Sequence, residues 1–352
     1  MELWSFNRDA GTGERIVSDW KVTQTHGLYN GWGYYARFKP LGFLSDGRIA
    51  YTDDWRGFVQ TIDPRTGEVE VHPGAAMQTL RYASRLLGDA VVGQPHYDSL
   101  ATYDLVTDKR HVVPVPDSLV SVIFPTVFGE DLVGYVGSAH DYYGRPQYVY
   151  VVDPRTGEAV HFHRFDGPIV APNGFGVSAP RSVYGEFYRD DGSRIHRLDL
   201  ASGVSTEFGE GSAVWVSPDD EWVLMAEGTF HRNRLVSMAS DGSNRREYDS
   251  LLVAGDGRHP FAPDGSVFAA AFNSRIRLPL EHPDYGGSPR DGLYESDPET
   301  GETRQIVISD HLKIGLAEPS EEYIYVSPFL YSEDGATLYF TVRRQQHVCG
   351  YS

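Results

Sequence analysis

Apolar runs and sharp polar turns alternate along the whole chain. Four stretches read as an apolar run, an Asp-containing turn and a second apolar run: FLSDGRIAYTDD, WVSPDDEWVLMAEG, PFAPDGSVFAAAF and FLYSEDGATLYFTV. Two further stretches, VFGEDLVGYVG and RLLGDAVVGQ, are weaker versions of the same pattern. Because Asp-Gly supplies the positive φ angles that a tight hairpin needs, the pattern predicts a series of antiparallel β-hairpins.

A second hairpin pattern recurs at a regular interval. Asp-Pro-x-Thr-Gly-Glu occurs three times, and looser relatives occur four times, so that the seven repeats contain Asp9, Asp63, Asp104, Asp153, Asp199, Asp241 and Asp297. The spacings between these aspartates are 54, 41, 49, 46, 42 and 56 residues. Roughly 40 to 50 residues is the length of one four-stranded propeller blade. The repeat therefore predicts seven blades, and its turn is interpreted as an outer-strand hairpin that serves the fold.

With these hairpins the sequence resembles the TolB-type and WD-type (WD40-like) β-propellers, whose blades carry similar Ser-Pro-Asp-Gly turns. The resemblance covers the whole chain and implies an all-β fold, a seven-bladed β-propeller of four-stranded antiparallel blades. We expect one domain, residues 1–352, whose last blade is closed by both termini and is formed by about 320–352 and 1–20. Propellers host enzymes, lectins and scaffolds alike, so the resemblance leaves the function open.

Composition and charge narrow the choice of partners. The chain has 31 basic and 49 acidic residues and a net charge of −18, which speaks against nucleic acid because phosphate binding needs Lys and Arg. A small anion stays compatible, since a local Arg/His pocket can lie within an acidic surface. The one cysteine, Cys349, excludes an intrachain disulfide. We see no secretory signal and no apolar run of membrane-spanning length, so we expect a cytoplasmic protein without a membrane partner, its oligomeric state open.

Propeller geometry separates two sets of connections. Within a blade of strands A to D, the A–B and C–D turns lie at one end, and the B–C loop and the link to the next blade lie at the other. The repeated Asp turns occupy the first end. Because binding residues concentrate on the irregular loops of rigid scaffolds, we predict the functional site at the second end. The predicted B–C loops are 52–57, 93–99, 137–147, 188–194, 227–234, 273–292 and 343–348.

Histidine is frequent in these connections. Five of the seven predicted B–C loops contain one, namely His96, His140, His231, His282 and His347, and the predicted links, including DGRHPF, add His26 and His259. Four others fall on predicted outer strands, where we expect packing or solvated roles: His72, His111, His161 and His163.

Histidine with Arg and Tyr suits proton abstraction next to a carboxylate. Arg or a cationic His neutralises the carboxylate, and Tyr or a neutral His moves the proton, as in β-elimination from a uronic-acid glycan. The sequence has no Gly-x-Ser-x-Gly, no HExxH and no phosphate-binding Gly-rich loop. We therefore predict an enzyme, a lyase acting on an anionic oligosaccharide or a small metabolite. A metabolite isomerase or cyclase, and a non-catalytic carbohydrate- or protein-binding propeller, remain alternatives.

The residue set is similar to that of single-propeller polysaccharide lyases. Ulvan lyases use His, Tyr and Arg, and oligogalacturonate lyases use His and Arg with a divalent metal held by His and Gln. RHPFAPDG (258–265) and RRQQHV (343–348) carry the second resemblance, although the further histidines that the oligogalacturonate type has in the latter loop are missing. The resemblance implies a Mn²⁺ or Ca²⁺ ion held by His259, Gln345 and His347.

Candidate residues are thereby named for each role. Those expected to act in catalysis are His140, His231, His259, Arg232, Arg258 and Tyr188. Those expected to bind the substrate are His26, Trp32, Trp55, Arg56, Arg81, His96, Tyr143, Arg275 and Arg344.

Overall fold

The structure is a computed structural model of the 352-residue chain. It describes residues 2–17, 38–53, 59–75, 86–96, 98–128, 131–138, 147–165, 171–175, 182–189, 192–211, 213–227, 234–248, 251–252, 260–272, 292–308 and 322–346.

Within these ranges the chain forms seven four-stranded sheets, numbered here in chain order. The first two strands, β1 (Glu2–Asn7) and β2 (Thr12–Val17), belong to sheet 7. Sheet 1 contains β3 (Phe38–Phe43), β4 (Ile49–Asp53), β5 (Val59–Ile62) and β6 (Val69–His72), and a 3₁₀ turn follows at Pro73–Ala75. Sheet 2 contains β7 (Leu86–Leu87), β8 (Ala90–Gly93), β9 (Leu100–Asp104) and β10 (Lys109–Val113). Sheet 3 contains β11 (Ser121–Phe128), β12 (Leu132–Ser138), β13 (Gln147–Val152) and β14 (Ala159–Phe165).

The remaining sheets follow the same order. Sheet 4 contains β15 (Ala171–Phe175), β16 (Ser182–Arg189), β17 (Gly192–Asp199) and β18 (Ser205–Glu210). Sheet 5 contains β19 (Ala213–Val216), β20 (Trp222–Glu227), β21 (Arg234–Ala239) and β22 (Arg246–Tyr248). Sheet 6 contains β23 (Leu251–Leu252), β24 (Phe268–Phe272), β25 (Gly292–Ser296) and β26 (Thr303–Ile308). Sheet 7 is completed by β27 (Glu322–Tyr331) and β28 (Thr337–Gln346).

The predicted fold class is confirmed: the seven sheets are the antiparallel blades of an all-β propeller. Both ends of the chain meet in sheet 7, whose order is β2-β1-β28-β27. Leu3 lies opposite Thr341, and Ser5 lies opposite Tyr339. The first strand therefore satisfies backbone hydrogen bonds of β28 that would otherwise form a free sheet edge. No helix long and apolar enough to cross a membrane occurs in the described ranges.

The chain divides into two compact units. Unit 1 comprises Met1–Tyr35, Thr229–Leu235 and Arg246–Ser352, and unit 2 comprises Ala36–Gly228 and Val236–Arg245. In unit 2, β3 contacts β7, β8 contacts β11, β11 contacts β15 and β15 contacts β19, which joins sheets 1 to 5 in sequence. In unit 1, β24 contacts β27. The expectation of a single domain over residues 1–352 stays a prediction.

An apolar core fills the space between neighbouring sheets of each unit. Leu41, Val59 and Val91 are buried where sheets 1 and 2 meet in unit 2. Leu293 and Phe340 are buried where sheets 6 and 7 meet in unit 1. Full burial of such a side chain contributes about 1.5–3 kcal/mol, so these buried apolar residues supply the main stabilisation of the contacts between sheets.

The repeated Asp turn is a self-contained hydrogen-bonded unit between the third and fourth strand of a sheet. In the turn after β5, the Gly67 amide donates to the Asp63 carbonyl at 2.8 Å and the Arg65 amide donates to the Asp63 carboxylate at 2.8 Å. The same glycine-to-aspartate bond, also 2.8 Å, joins Gly157 to Asp153. A side-chain hydrogen bond from Arg65 lowers the pKa of Asp63. The aspartate of the repeat is thus hydrogen-bonded within its own turn.

These turns also hold neighbouring sheets together. His163 of β14 donates from Nε2 to the Leu200 carbonyl, at 3.1 Å, in the turn of sheet 4. Arg246 of β22 donates from Nε to the Glu299 carbonyl, at 2.6 Å, in the turn of sheet 6. The outer strand of one sheet is thereby bonded to the repeated turn that comes next in the chain. This explains in physical terms why the turn recurs.

A buried carboxylate ties sheets 6 and 7 together within unit 1. Glu295 of β25 is 2 % exposed. Its carboxylate forms an ion pair with Arg8 Nε at 2.5 Å and accepts hydrogen bonds from Arg304 Nη2 at 2.8 Å and from the Tyr331 hydroxyl at 3.2 Å. Arg8 donates further to the Gly335 carbonyl at 2.7 Å. Since both carboxylate oxygens of Glu295 are paired, we interpret the cluster as a structural contact that stabilises the packing of sheets 6 and 7.

The innermost strand of sheet 6 differs from the sequence-based expectation. Leu251 and Leu252 already pair with Phe272 and Ala271 of β24. After the interval 253–259, Phe261 makes a bridge to Phe268 of the same strand. Sheet 6 therefore begins at Leu251, before the stretch DGRHPF that was predicted to link two blades.

Candidate functional site

The strand order gives each sheet two chemically different ends. In sheet 1, residues 44–48 join β3 to β4 and residues 63–68 join β5 to β6 at one end, which we call the turn end. Residues 54–58 join β4 to β5 at the opposite end, which we call the loop end. The link to the next sheet also leaves from the loop end, because β6 runs antiparallel to β5.

Charge is distributed unequally between the connections at the two ends. The turn-end connections contain twenty acidic and six basic residues and no histidine; they are 8–11, 44–48, 63–68, 88–89, 105–108, 129–131, 153–158, 176–181, 200–204, 217–221, 240–245, 262–267, 297–302 and 332–336. The loop-end connections contain fifteen acidic and eleven basic residues; they are 18–37, 54–58, 73–85, 94–99, 114–120, 139–146, 166–170, 190–191, 211–212, 228–233, 249–250, 273–291, 309–321 and 347–352. The net charge is thus −14 for the first set and −4 for the second.

Histidine follows the same division. Seven of the thirteen histidines lie in loop-end connections, and the interval 253–259 in sheet 6 adds His259. Sequence reasoning missed one of the seven, His311, which lies in the connection 309–321 between β26 and β27. Counting seven links for seven blades would have drawn attention to this segment.

Most predicted site residues fall outside the described ranges. They are His26, Trp32, Trp55, Arg56, Arg81, His140, Tyr143, His231, Arg232, Arg258, His259, Arg275 and His347. His96 is described: it is exposed in the connection between β8 and β9, where its amide donates to the Ser99 hydroxyl at 3.1 Å. The roles assigned to these residues stay predictions.

Three candidates lie in strands where loops were expected. Tyr188 is part of β16 and lies opposite Ser193, because the sheet pairing continues to Arg189 and Gly192 and leaves only residues 190–191 as the connection. Arg344 and Gln345 are part of β28, which pairs with β27 as far as Gln346. The predicted loops 188–194 and 343–348 were therefore too long.

Buried polar groups mark the loop ends of sheets 1 and 3 in unit 2. Thr52 and Ser121 are 0 % and 3 % exposed, and their hydroxyls have no hydrogen-bond partner among the described residues. Ser138 and Gln147, which lie opposite each other where the connection 139–146 leaves and returns, are also buried. Because buried hydroxyls are normally hydrogen-bonded, groups of this kind are typical of the polar floor of a ligand site.

The predicted outer-strand histidines are where the sequence placed them. His72 lies in β6, His111 in β10, and His161 and His163 in β14, each at the edge of its sheet. The rings of His161 and His163 stack with centroids 6.4 Å apart. Nowhere in the described ranges do three metal-ligating side chains come together.

Comparison with known proteins identifies solved structures only. No family model and no curated protein matches the chain. A TolB from Agrobacterium tumefaciens is 13 % identical, covers 98 % of both chains and has a TM-score of 0.44. An oligogalacturonate lyase in complex with manganese is 14 % identical over 85 % of this chain and 87 % of its own, with a TM-score of 0.49. The Cps50 (Swd1) β-propeller domain of Myceliophteria thermophila is 11 % identical over 86 % and 96 %, with a TM-score of 0.46.

The chain resembles TolB-type propellers. At these identities the likeness concerns the fold alone, and the neighbours include a TolB, a lyase and a β-propeller domain. A specific activity has to be argued from the residues of this chain.

Proposed function

We propose that the protein is a lyase that acts at the loop ends of its sheets by His/Arg/Tyr acid–base chemistry. The substrate is an anionic oligosaccharide or a small metabolite that carries a carboxylate. The observation that carries this proposal is the segregation of histidine and of acidic charge. Seven histidines lie in the loop-end connections and none in the turn-end connections, and the net charge is −4 for the first set and −14 for the second.

The proposed reaction is β-elimination. A base takes the proton from the carbon next to the carboxylate, the electron pair forms a carbon–carbon double bond, and the bond to the leaving oxygen on the next carbon breaks. The leaving oxygen then receives a proton. In this scheme His140 or His231, or His259 in the absence of a metal, moves protons with the Tyr188 hydroxyl, and Arg232 and Arg258 neutralise the carboxylate, which stabilises the enolate-like transition state.

Electrostatics favours the same end of each sheet for an anion. The turn-end connections carry −14, and an approaching carboxylate is repelled there. The loop-end connections have a net charge of −4, in a chain whose net charge is −18. Fewer acidic neighbours therefore compete with an anionic substrate for the Arg and His side chains of these connections. A divalent metal at His259, Gln345 and His347 and a cytoplasmic location belong to the proposal as further predictions.

Product absorbance tests the proposal directly. Elimination from a uronate gives a conjugated unsaturated acid, whose ultraviolet absorbance is followed while the purified protein is mixed with uronate oligosaccharides. We expect a rise that His140→Ala or His259→Ala lowers by roughly 10²–10⁴-fold, the usual contribution of a general acid or base. The matched control is His111→Ala, which removes an exposed histidine of β10 and leaves the rate unchanged.

The metal is tested in the same assay. Dialysis against a chelator lowers the rate and Mn²⁺ or Ca²⁺ restores it if the ion takes part. A rate that is unchanged by the chelator removes the metal from the proposal and leaves the proton transfers. No absorbance change with any uronate, with or without metal, contradicts the lyase assignment.

A further inference from the structure

The outer strand of sheet 2, β10, has a free hydrogen-bonding edge. Sheet 2 has the order β10-β9-β8-β7, so β10 is bonded to a neighbouring strand on one side only. Its pairing with β9 is regular over five residues, from Lys109 opposite Asp104 to Val113 opposite Leu100. Among the described residues, Lys109–Val113 make no backbone hydrogen bond beyond β9. The outward amides and carbonyls of β10 are therefore available to another strand.

Most other outer strands are shaped against such pairing. The register shifts at a bulge where β1 pairs with β2, β13 with β14, β17 with β18 and β25 with β26. A bulge bends an edge and disrupts its ladder, which is a common protection against unwanted strand pairing. β6 is regular but shorter, and its Glu70 is paired with Arg48. Of the outer strands in the described ranges, β10 is thus the longest without a bulge.

The side chains of β10 project into solvent on both faces of the sheet. Its first four residues, 109–112, are exposed, and Val113 is buried. Val112 is 62 % exposed, the largest value for any large hydrophobic residue in the described ranges. Arg110 lies on the same face as Val112, since residues two apart in a regular strand point the same way. A strand added at this edge brings its own side chains against one cation and one exposed apolar group.

The charge of β10 is opposite to that of the protein. The strand contains Lys109, Arg110 and His111 and no acidic residue, in a chain of net charge −18. Lys109 already has an acidic neighbour, because it lies opposite Asp104 of β9. Arg110 lies opposite Tyr103, and its guanidinium makes no hydrogen bond or ion pair among the described residues. Because like charges on paired strands destabilise a sheet and opposite charges stabilise it, Arg110 disfavours a basic strand and favours an acidic one.

We propose that the edge of β10 binds an extended acidic segment of a partner protein, which adds to sheet 2 as a further strand. The backbone of the segment pairs with the outward amides and carbonyls of β10. An acidic side chain of the segment lies opposite Arg110, and a β-branched side chain lies opposite Val112. The surface shares no residue with the loop ends, so it does not depend on the proposed function.

The backbone and the charge of this edge decide against other occupants. Glycans and nucleic acids have no alternating amides and carbonyls of a peptide backbone, so they leave the free edge of β10 unused. A second copy that pairs its own β10 antiparallel about His111 places Arg110 of each copy opposite Val112 of the other. It also brings another −18 charges to the contact. The arginine then gains no acidic partner, which an acidic segment supplies.

Fluorescence anisotropy with short labelled peptides tests the strand addition. The probe contains Val-Thr-Glu-Glu, which in antiparallel pairing places its valine opposite Val112 and its first glutamate opposite Arg110. We expect the wild-type protein to bind this probe. Arg110→Glu should weaken the affinity roughly three- to tenfold and should gain affinity for a Val-Thr-Lys-Lys probe. The matched control is Arg155→Glu, which changes the net charge equally at an exposed arginine in a turn of sheet 3 and keeps the wild-type affinities.

A methylated probe separates strand addition from charge attraction alone. Methylation of two adjacent amides removes a donor that faces β10, because adjacent amides of a strand point to opposite sides, and it leaves the charges unchanged. We expect this probe to lose its binding. Equal binding of the methylated and unmethylated probes, equal binding of the glutamate and lysine probes by wild type, or no binding at all overturns the proposal.

Sedimentation velocity distinguishes a peptide partner from a second copy. We expect wild type and Arg110→Glu to sediment alike at all concentrations. Self-association of wild type that Arg110→Glu abolishes assigns the edge to a second copy and overturns the proposal. Circular dichroism spectra and melting temperatures equal to those of wild type show that each variant is folded.

Discussion

The turn ends and the loop ends of the sheets use their polar residues in opposite ways. At the turn ends, aspartates recur from blade to blade and are hydrogen-bonded within their own turns. The Asp63 carboxylate, for example, accepts hydrogen bonds from Arg65 and from the backbone of Thr66. At the loop ends, the connections differ in length and sequence, from two residues at 190–191 to twenty at 18–37. Seven of the thirteen histidines and nine of the 27 arginines lie there, against no histidine and six arginines in the turn-end connections.

This difference separates scaffold from function. A polar residue that repeats with the blade and is satisfied locally serves each blade alike, so it contributes stability. A polar residue that occurs once, in a connection without repeats, has no such explanation and is a better candidate for binding or catalysis. Variants at the turn ends should therefore change stability and leave chemistry intact, with the reverse at the loop ends.

The largest effect is expected at the buried carboxylate of the turn end in unit 1. Glu295→Ala leaves Arg8 and the Tyr331 hydroxyl without their partner, so we expect the free energy of unfolding to fall by about 3–5 kcal/mol. Urea unfolding measures this, and Glu302→Ala, an exposed acid in the neighbouring turn, is the matched control. An unchanged urea midpoint of unfolding for Glu295→Ala would show that the cluster does not stabilise the contact between sheets 6 and 7.

A smaller effect is expected where a repeated turn meets the preceding sheet. Gly157 has φ +72°, and an added Cβ would lie 2.6 Å from Pro114 Cβ, so Gly157→Ala combines backbone strain with a steric clash and should cost about 2–4 kcal/mol. Gly11 has φ +65° and open space around it, so Gly11→Ala should cost only about 1–2 kcal/mol. Equal losses in thermal unfolding would show that the turn does not fasten the sheets.

The smallest effect concerns pH. His72 of β6 is 4 % exposed, and its Nε2 is hydrogen-bonded to the Thr61 hydroxyl at 2.9 Å. Burial lowers the pKa of His72 below its ordinary value of 6.5. The negative charge of Glu70 raises this pKa and the positive charge of Arg48 lowers it, but burial has the largest effect.

The sign of the pH effect follows from that direction. Below pH 6.5 the His72 side chain binds a proton more readily in the unfolded chain than in the folded protein. The free energy of unfolding is therefore highest above pH 6.5 and decreases as the pH falls from 6.5 through the lower pKa of the folded state. His72→Gln should flatten this slope in urea unfolding between neutral and mildly acidic pH, whereas His111→Gln, on the exposed strand β10, should keep it. If His72→Gln keeps the wild-type dependence of the unfolding free energy on pH, the acid sensitivity comes from other groups.

The fold could be predicted from sequence because its signals are local. Turn residues such as Asp153 and Gly157 fix a hairpin by themselves, and the spacing of the hairpins then gives the number of blades and the closure of sheet 7 by both termini. The two-part inner strand of sheet 6 could not be predicted in this way. Its pairing of Leu251 with Phe272 depends on contacts across twenty-one residues and has no turn signature.

The site could be predicted only as a location. Loop composition predicts a site at the loop end of each sheet, and that location stays a prediction. Strand pairing, which extends beyond the turn residues, moved Tyr188 and Arg344 from loops into strands. The Glu295 cluster was missed because its partners Arg8 and Tyr331 are far apart in the sequence and carry no shared motif. His311 was missed because its link was not inspected with the others.

The most direct test of the central claim measures chemistry and stability on the same set of variants. Product absorbance with uronate oligosaccharides and urea unfolding are recorded for His140→Ala, His231→Ala, His111→Ala and Gly157→Ala. The account predicts that the two loop-end histidine variants lose turnover at wild-type stability, and that Gly157→Ala loses stability while its folded fraction keeps wild-type turnover. Turnover that is retained by both loop-end variants, or lost equally in His111→Ala, would contradict the division between the two ends.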